Sequence, residues 1–296
     1  MRPLNKPISR TAWLLTLLLS MYTSAQTPDF QDVVYASPQG LDLALDVYLP
    51  SDVTKAPLVV YVHGGAWRFG EKSGEQSAAY INPFLENGYA VASLDFRQST
   101  QAPFPAMIHD IKAAIRFLRA NATNYGYDAS SIAITGASSG AHLAQVAGVS
   151  NGHPTLEGDL GDHLDTSSDI QAIISYFGAS DLTTILSQST PFGLSVREPA
   201  LELLLGALPE ENESLAMLAS PVYLVDENDP PLLLLHGDKD PQMPINQSLQ
   251  MFGAYKKAEL NVIFDPVHGA VHGGPGFFDA EHLFNALDFL RHSIGQ

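Results

Sequence analysis

The chain has 296 residues, 45% of them apolar and 16% charged, enough apolar material for a sizeable core, which excludes a disordered or fibrous protein. Its 15 Lys and Arg stand against 32 Asp and Glu, a net charge of −17 spread along the chain, so the clustered basic charge of a nucleic-acid binder is missing. There is no cysteine, which excludes disulfides, thiolate zinc sites and cysteine nucleophiles.

Residues 1–25 read as a secretory signal peptide. Arg2, Lys6 and Arg10 form a basic start, and Ala12 to Leu19 is an apolar run too short to span a bilayer. Thr23-Ser24-Ala25 offers the small residues a signal peptidase reads, which would leave Gln26 first. The competing reading is an uncleaved anchor. The expectation is a secreted or periplasmic protein with no membrane span in the mature chain, in which residues 26–296 form one α/β domain.

Val33-Val34-Tyr35, the turn Pro38-Gln39-Gly40 and the alternation Leu41, Leu43, Leu45, Val47, Leu49 predict an opening hairpin. Its second strand should be half-buried, with Asp42, Ala44, Asp46 and Tyr48 facing out. Apolar strands follow at Leu58–Val62, Tyr89–Leu94, Ser131–Thr135, Ile170–Phe177, Leu232–Leu235 and Val262–Phe264. Between them lie helical stretches near 75–87, 105–121, 139–149 and 245–258, with a last one near 279–293. This alternation predicts a mostly parallel central sheet, with an N-terminal antiparallel hairpin and helices on both faces. Residues 181–220 break the rhythm; stretches such as Pro199–Leu208 read as short helices of a lid, a pocket wall or an ordinary connection.

Gly136-Ala137-Ser138-Ser139-Gly140 stands between a strand and a helix, the context in which a sharp turn lifts a serine above the sheet as a nucleophile. The plainer reading is a Gly/Ser loop capping the helix. His63-Gly64-Gly65-Ala66-Trp67 also follows a strand. Its glycines free backbone N–H groups, and those of Gly65, Ala66 and Ser139 can form an oxyanion hole. His63 is read as ordering this loop, and Trp67 as lining the pocket or buttressing the loop.

A serine nucleophile needs a base, and the base needs an orienting carboxylate, in the chain order serine, acid, histidine. The acid candidates are Asp238 and Asp240 in His236-Gly237-Asp238-Lys239-Asp240-Pro241; Asp240 lies deeper in the loop, stiffened by Pro241. The base candidates are His268 and His272, and the glycines beside His272 leave its ring unobstructed. His282 and His292 fall in the last helix and are read as solvated.

The set HGGAW (63–67), DFRQSTQAPFPAMIHDIKAAIRFLRANA (95–122), GASSGAHLA (136–144) and HGDKDPQMPINQS (236–248) resembles the α/β-hydrolase esterases. Within them it is similar to the bacterial feruloyl-esterase-like branch, related to the hormone-sensitive-lipase group. The resemblance covers most of residues 30–292. It implies a carboxylic ester hydrolase in which Ser138, Asp240 and His272 fall on the catalytic positions, GAVHGGPGF being similar to that branch's histidine loop. Two departures stand out: Gly-Gly-Ala where many lipase relatives have Gly-Gly-Gly, and Phe96 where a tyrosine is common. Neither removes a backbone donor. The expected substrate is a small-molecule or saccharide-linked ester, short-acyl or aryl, such as an acetyl or hydroxycinnamoyl ester. No metal or organic cofactor is called for, and the rate should rise with pH through roughly pH 6 to 7. Arylformamidase or peptidase chemistry on the same triad is the nearest rival, and a non-catalytic binding protein the rival of another class.

Overall fold

The computed structural model of the chain describes residues 26–295; the expected signal peptide lies outside the described residues. β1 (Phe30–Ala36) and β2 (Leu43–Tyr48) form the opening hairpin. β3 (Pro57–Val62), α1 (Gly74–Leu85), β4 (Ala90–Leu94), α2 (Ala106–Tyr125), β5 (Asp128–Ala137), α3 (Ser139–Gly148), α4 (Pro154–Glu157) and β6 (Ala172–Tyr176) follow. Next come α5 (Ile185–Gln188), α6 (Pro191–Leu205) and α7 (Glu213–Leu218). β7 (Leu232–Gly237), α8 (Asn246–Lys257), β8 (Val262–Val267) and α9 (Ala280–Ser293) complete the chain. The sheet order is β1-β2-β4-β3-β5-β6-β7-β8. β2 runs antiparallel to both β1 and β4, and all other neighbours are parallel.

Successive residues of each central strand serve opposite faces. Leu58, Val60, Ile132 and Ile134 join a core with Met107, Ile108 and Ile111 of α2 and with Met251 and Tyr255 of α8. Val59, Tyr61, Ala133, Ile174 and Leu233 join a second core with Ile81 and Phe84 of α1 and with Phe289 and Leu290 of α9. Burial on both faces explains why these strands read as unbroken apolar runs.

Three expectations change. β2 is not half-buried: Asp46 and Tyr48 are as enclosed as Leu45 and Val47. The strand lies between β1 and β4, and Asp46 is paired, its Oδ1 3.2 Å from Lys72 Nζ and accepting from Asp32 N at 2.8 Å. The helix expected from Pro199 starts instead at Pro191, where the Thr190 hydroxyl caps Gly193 N at 3.0 Å, and it carries Pro199 inside. His282 is not solvated. It is 8% exposed, with Nδ1 3.0 Å from Asp265 Oδ2 on β8, because its face of α9 turns to the sheet. His292 is exposed, as expected.

Candidate active site

β5 delivers Ser138 in a conformation few L-residues adopt, φ 54° and ψ −120°, a strain of about 1–3 kcal/mol that only a firmly packed surrounding sustains. That packing is visible. Ser138 N donates to Tyr176 O at 2.9 Å, and His142 N donates to Ser138 O at 3.0 Å. A Cβ on Gly136 would come 2.5 Å from the Gly140 carbonyl carbon, and one on Gly140 would come 2.1 Å from Val62 O. The two glycines are therefore what lets β5, α3 and β3 meet. Ser139, the first residue of α3, presents one of the N–H groups that have no acceptor inside the helix.

The acid comes from the loop after β7. Asp240 Oδ1 accepts from Gln242 N and Met243 N, both at 2.8 Å, and Oδ2 accepts from His272 Nδ1 at 2.6 Å. Burial alone would raise this carboxyl, but His236 (Nε2 at 3.6 Å), His272 and the Met243 amide hold it well below the usual carboxylate range.

His272 completes the line, with Nε2 3.0 Å from Ser138 Oγ. Its ring packs against Phe177, centroids 4.6 Å apart. Burial depresses the imidazole below its ordinary value; Asp240 opposes this, while Arg197 and His236 add to it. The neutral ring, with its proton on Nδ1, is thus the resting form, and its free Nε2 faces the serine hydroxyl.

The structure brings Ser138, Asp240 and His272 together and puts the competing residues elsewhere. Asp238 accepts from Gly269 N at 2.7 Å and pairs with His268 Nδ1 at 3.1 Å, on a side chain 82% exposed. This outer pair ties the acid loop to the histidine loop.

The loop after β3 turns sharply, with positive φ at Gly65, Ala66 and Trp67. The amides of Arg68 and Phe69 both return to Gly65 O, at 3.1 and 3.2 Å. His63 Nδ1 donates to Gly64 O at 2.8 Å, and the ring stacks on Phe96 at 4.5 Å, the loop-ordering part expected of it. Gly64, Gly65 and Ala66 face the same cleft as Ser138. Trp67 does not line it. The indole is 1% exposed behind the loop and donates to His142 Nδ1 at 3.0 Å, while His142 Nε2 donates to Ala219 O at 2.7 Å. Burial pushes His142 down to about 4, which keeps it neutral and able to accept from the indole.

The cleft measures about 750 Å³; Arg68, Phe69, Tyr80, Phe177, Phe278, Gln242 and Val196 of α6 are among its walls. The segment 181–220 thus contributes to a pocket wall. Among the described residues, no group of three or more His, Asp or Glu could hold a metal. No helix among them is long and apolar enough to cross a membrane. Sequence reasoning missed His142 and Phe177. His142 reads as one more residue of a buried helix and Phe177 as the end of a strand, and each gains its role from a partner about 75 or more positions away.

The family model BD-FAE matches residues 45–255. The esterase LipQ of Mycobacterium tuberculosis is 34% identical over 79% of this chain and 54% of its own length. The chain spans about half the length of the curated mycobacterial relatives it matches. Among solved structures, a truncated carbohydrate esterase from gut microbiota is 35% identical, with a TM-score of 0.81 over 91% of this chain and 96% of that one. Esterase 2 of Thermogutta terrifontis, solved with propionate, is 26% identical, with a TM-score of 0.71 over 90% and 94% of the two chains.

Proposed function

The chain belongs to the BD-FAE family of α/β-hydrolase esterases, and from that premise we propose that it is an exported serine esterase which cleaves short-acyl or aryl esters, acetyl and hydroxycinnamoyl esters above all, through an acyl-enzyme. The observation that carries the reading is the unbroken line from Ser138 Oγ to His272 Nε2 at 3.0 Å and from His272 Nδ1 to Asp240 Oδ2 at 2.6 Å. Ser138 attacks the ester carbonyl as His272 takes its proton. Asp240 holds the ring's tautomer and stabilises the imidazolium. The amides of Gly65, Ala66 and Ser139 receive the oxyanion, which is worth several kcal/mol at the transition state. His272 then protonates the departing alcohol. Water, deprotonated by the same ring, releases the acid from Ser138.

Two things support the substrate class. A relative of 35% identity is a carbohydrate esterase, and a second was solved with propionate. The cleft walls carry four aromatic rings, Phe69, Tyr80, Phe177 and Phe278, suited to a flat acyl group or a sugar face. Export rests on the basic start and apolar run of residues 1–25.

The test is a series of acetyl, butyryl, decanoyl and feruloyl esters, compared by kcat/KM with Ser138→Ala as control. Acetyl, butyryl or feruloyl esters should lead, and a maximum at decanoyl would overturn the assignment. Mass spectrometry of the protein recovered outside the cytoplasm should give Gln26 as its first residue; a cytoplasmic, full-length chain would remove export from the proposal.

A further inference from the structure

Arg197 is fully buried on α6, yet its Nε, Nη1 and Nη2 find no hydrogen-bond partner among the described residues. An arginine enclosed in this way is costly, and its charge must be answered by something near it. Burial brings the guanidinium down to about 10, and the Asp240 charge works against that fall, so it remains a cation at any working pH.

Its position on α6 says where that charge is directed. Gly193, one turn earlier on the same face, has so little room that a Cβ would sit 3.0 Å from Gln242 O. Thr190 Oγ1 donates to Pro241 O, at the start of the helix. Val196, the preceding residue, lines the catalytic cleft. Helical side chains lean toward their N-terminus, so Arg197 extends over the bare Gly193 toward the loop holding Asp240. The fully buried carboxylate in that loop is Asp240 itself, at 0% exposure.

We propose that Arg197 is a positioning residue of the catalytic centre, a buried cation that α6 carries to the back of the acid loop to balance the Asp240 carboxylate. With His272 neutral, the Asp240–His272 pair holds one negative charge away from water. A cation behind it makes that state the favoured one and resists premature protonation of the ring, so the base stays competent in mildly acid solution. The groups facing His272 are few. Ser138 comes from the elbow, Asp240 from the acid loop and His236 from β7, its nitrogens already engaged by Ser248 Oγ at 2.8 Å and Met243 O at 3.0 Å. Arg68 and Tyr80 line the open cleft on the other side of His272; Arg197 is the buried cation, and its charge lowers the His272 ring.

The test measures kcat/KM for 4-nitrophenyl acetate against pH in the wild type and in Arg197→Met, Arg197→Gln and Arg197→Lys. The two neutral variants should move the acid limb up by about one pH unit, so that the rate near pH 5 falls about tenfold while KM and the alkaline plateau hold. Arg197→Lys should keep the limb near its wild-type position. A folded neutral variant with a wild-type limb, whatever its Tm, would overturn the proposal, since only a packing role would leave the titration in place. If the neutral variants do not fold, Arg197→Lys decides: a wild-type limb supports the proposal and a displaced one overturns it. Failure of all three to fold would make Arg197 a packing residue and also overturn it.

Discussion

Ser138 is held in a strained conformation beside a base whose free nitrogen already faces it, so the two residues should behave as one unit. Ser138→Ala and His272→Ala should each lower kcat for 4-nitrophenyl acetate on the order of 10⁴-fold, and the double variant should be scarcely worse. His268→Ala should keep most of the rate, because its exposed ring pairs with Asp238 outside the cleft. The opposite result would move the base to His268. The same geometry sets the acid limit. Only the unprotonated ring takes the serine proton, so the rate rises with pH through the His272 ionisation. Burial depresses that ionisation below the ordinary histidine value of 6.5, so the midpoint of kcat/KM should fall below it, out of the upper half of the range the sequence suggests. A midpoint at 7 or above would contradict the geometry. Ser138, Asp240 and His272 were legible because glycines and a proline mark their turns and the resemblance orders them. Arg197 was not, since a lone arginine in a leucine-rich helix reads as surface until the helix is seen packed on the acid loop.

The elements meet at the elbow with no space to spare. A methyl group on Gly140 would lie 2.1 Å from Val62 O and 2.4 Å from His63 O, both backbone atoms at the end of β3. Gly140→Ala must therefore part α3 from β3. The expected cost is about 3 kcal/mol or more, a fall in Tm of roughly 6–12 °C by calorimetry. The loop after β3 starts at that contact, so the remaining folded enzyme should also lose rate; an unchanged Tm would refute the contact. Strands and helices were readable where apolar runs alternate with amphipathic stretches, as from β3 to α3. α6 was readable only in part, because Pro199 signals a helix start whereas the cap at Thr190 supplies the real one. The polar face of β2 misled for a related reason: Asp46 looks solvated until Lys72, 26 residues on, is seen to cover it.

Over the whole molecule, acidic residues outnumber basic ones by 32 to 15. Such an excess sets surface charges against one another in the compact state. Salt also weakens attractive pairs, but several are partly buried and little screened: Lys72 with Asp32 at 2.7 Å and Asp46 at 3.2 Å, Arg97 with Asp110 at 2.6 Å, and Arg116 with Glu157 at 2.5 Å. Repulsion should therefore dominate the response: raising NaCl from about 10 to about 200 mM should raise Tm by a few degrees. A fall would give the balance to the ion pairs. The sheet order itself, with β3 inside β4, follows from no local pattern and emerges only from the packing of distant strands. One small bridge spans comparable distances. The His142 ring accepts a hydrogen bond from the Trp67 indole and donates one to Ala219 O, joining the loop after β3, the helix that follows Ser138 and the far end of the 181–220 segment. Inheritance at these positions is then not independent. A lineage that exchanges the indole for a ring without a donor strands an acceptor in a dry interior, and one that alters the imidazole strands two groups at once. Drift at 67 and 142 should proceed by paired steps, and a library randomised at both positions should return working combinations that neither single-site library contains.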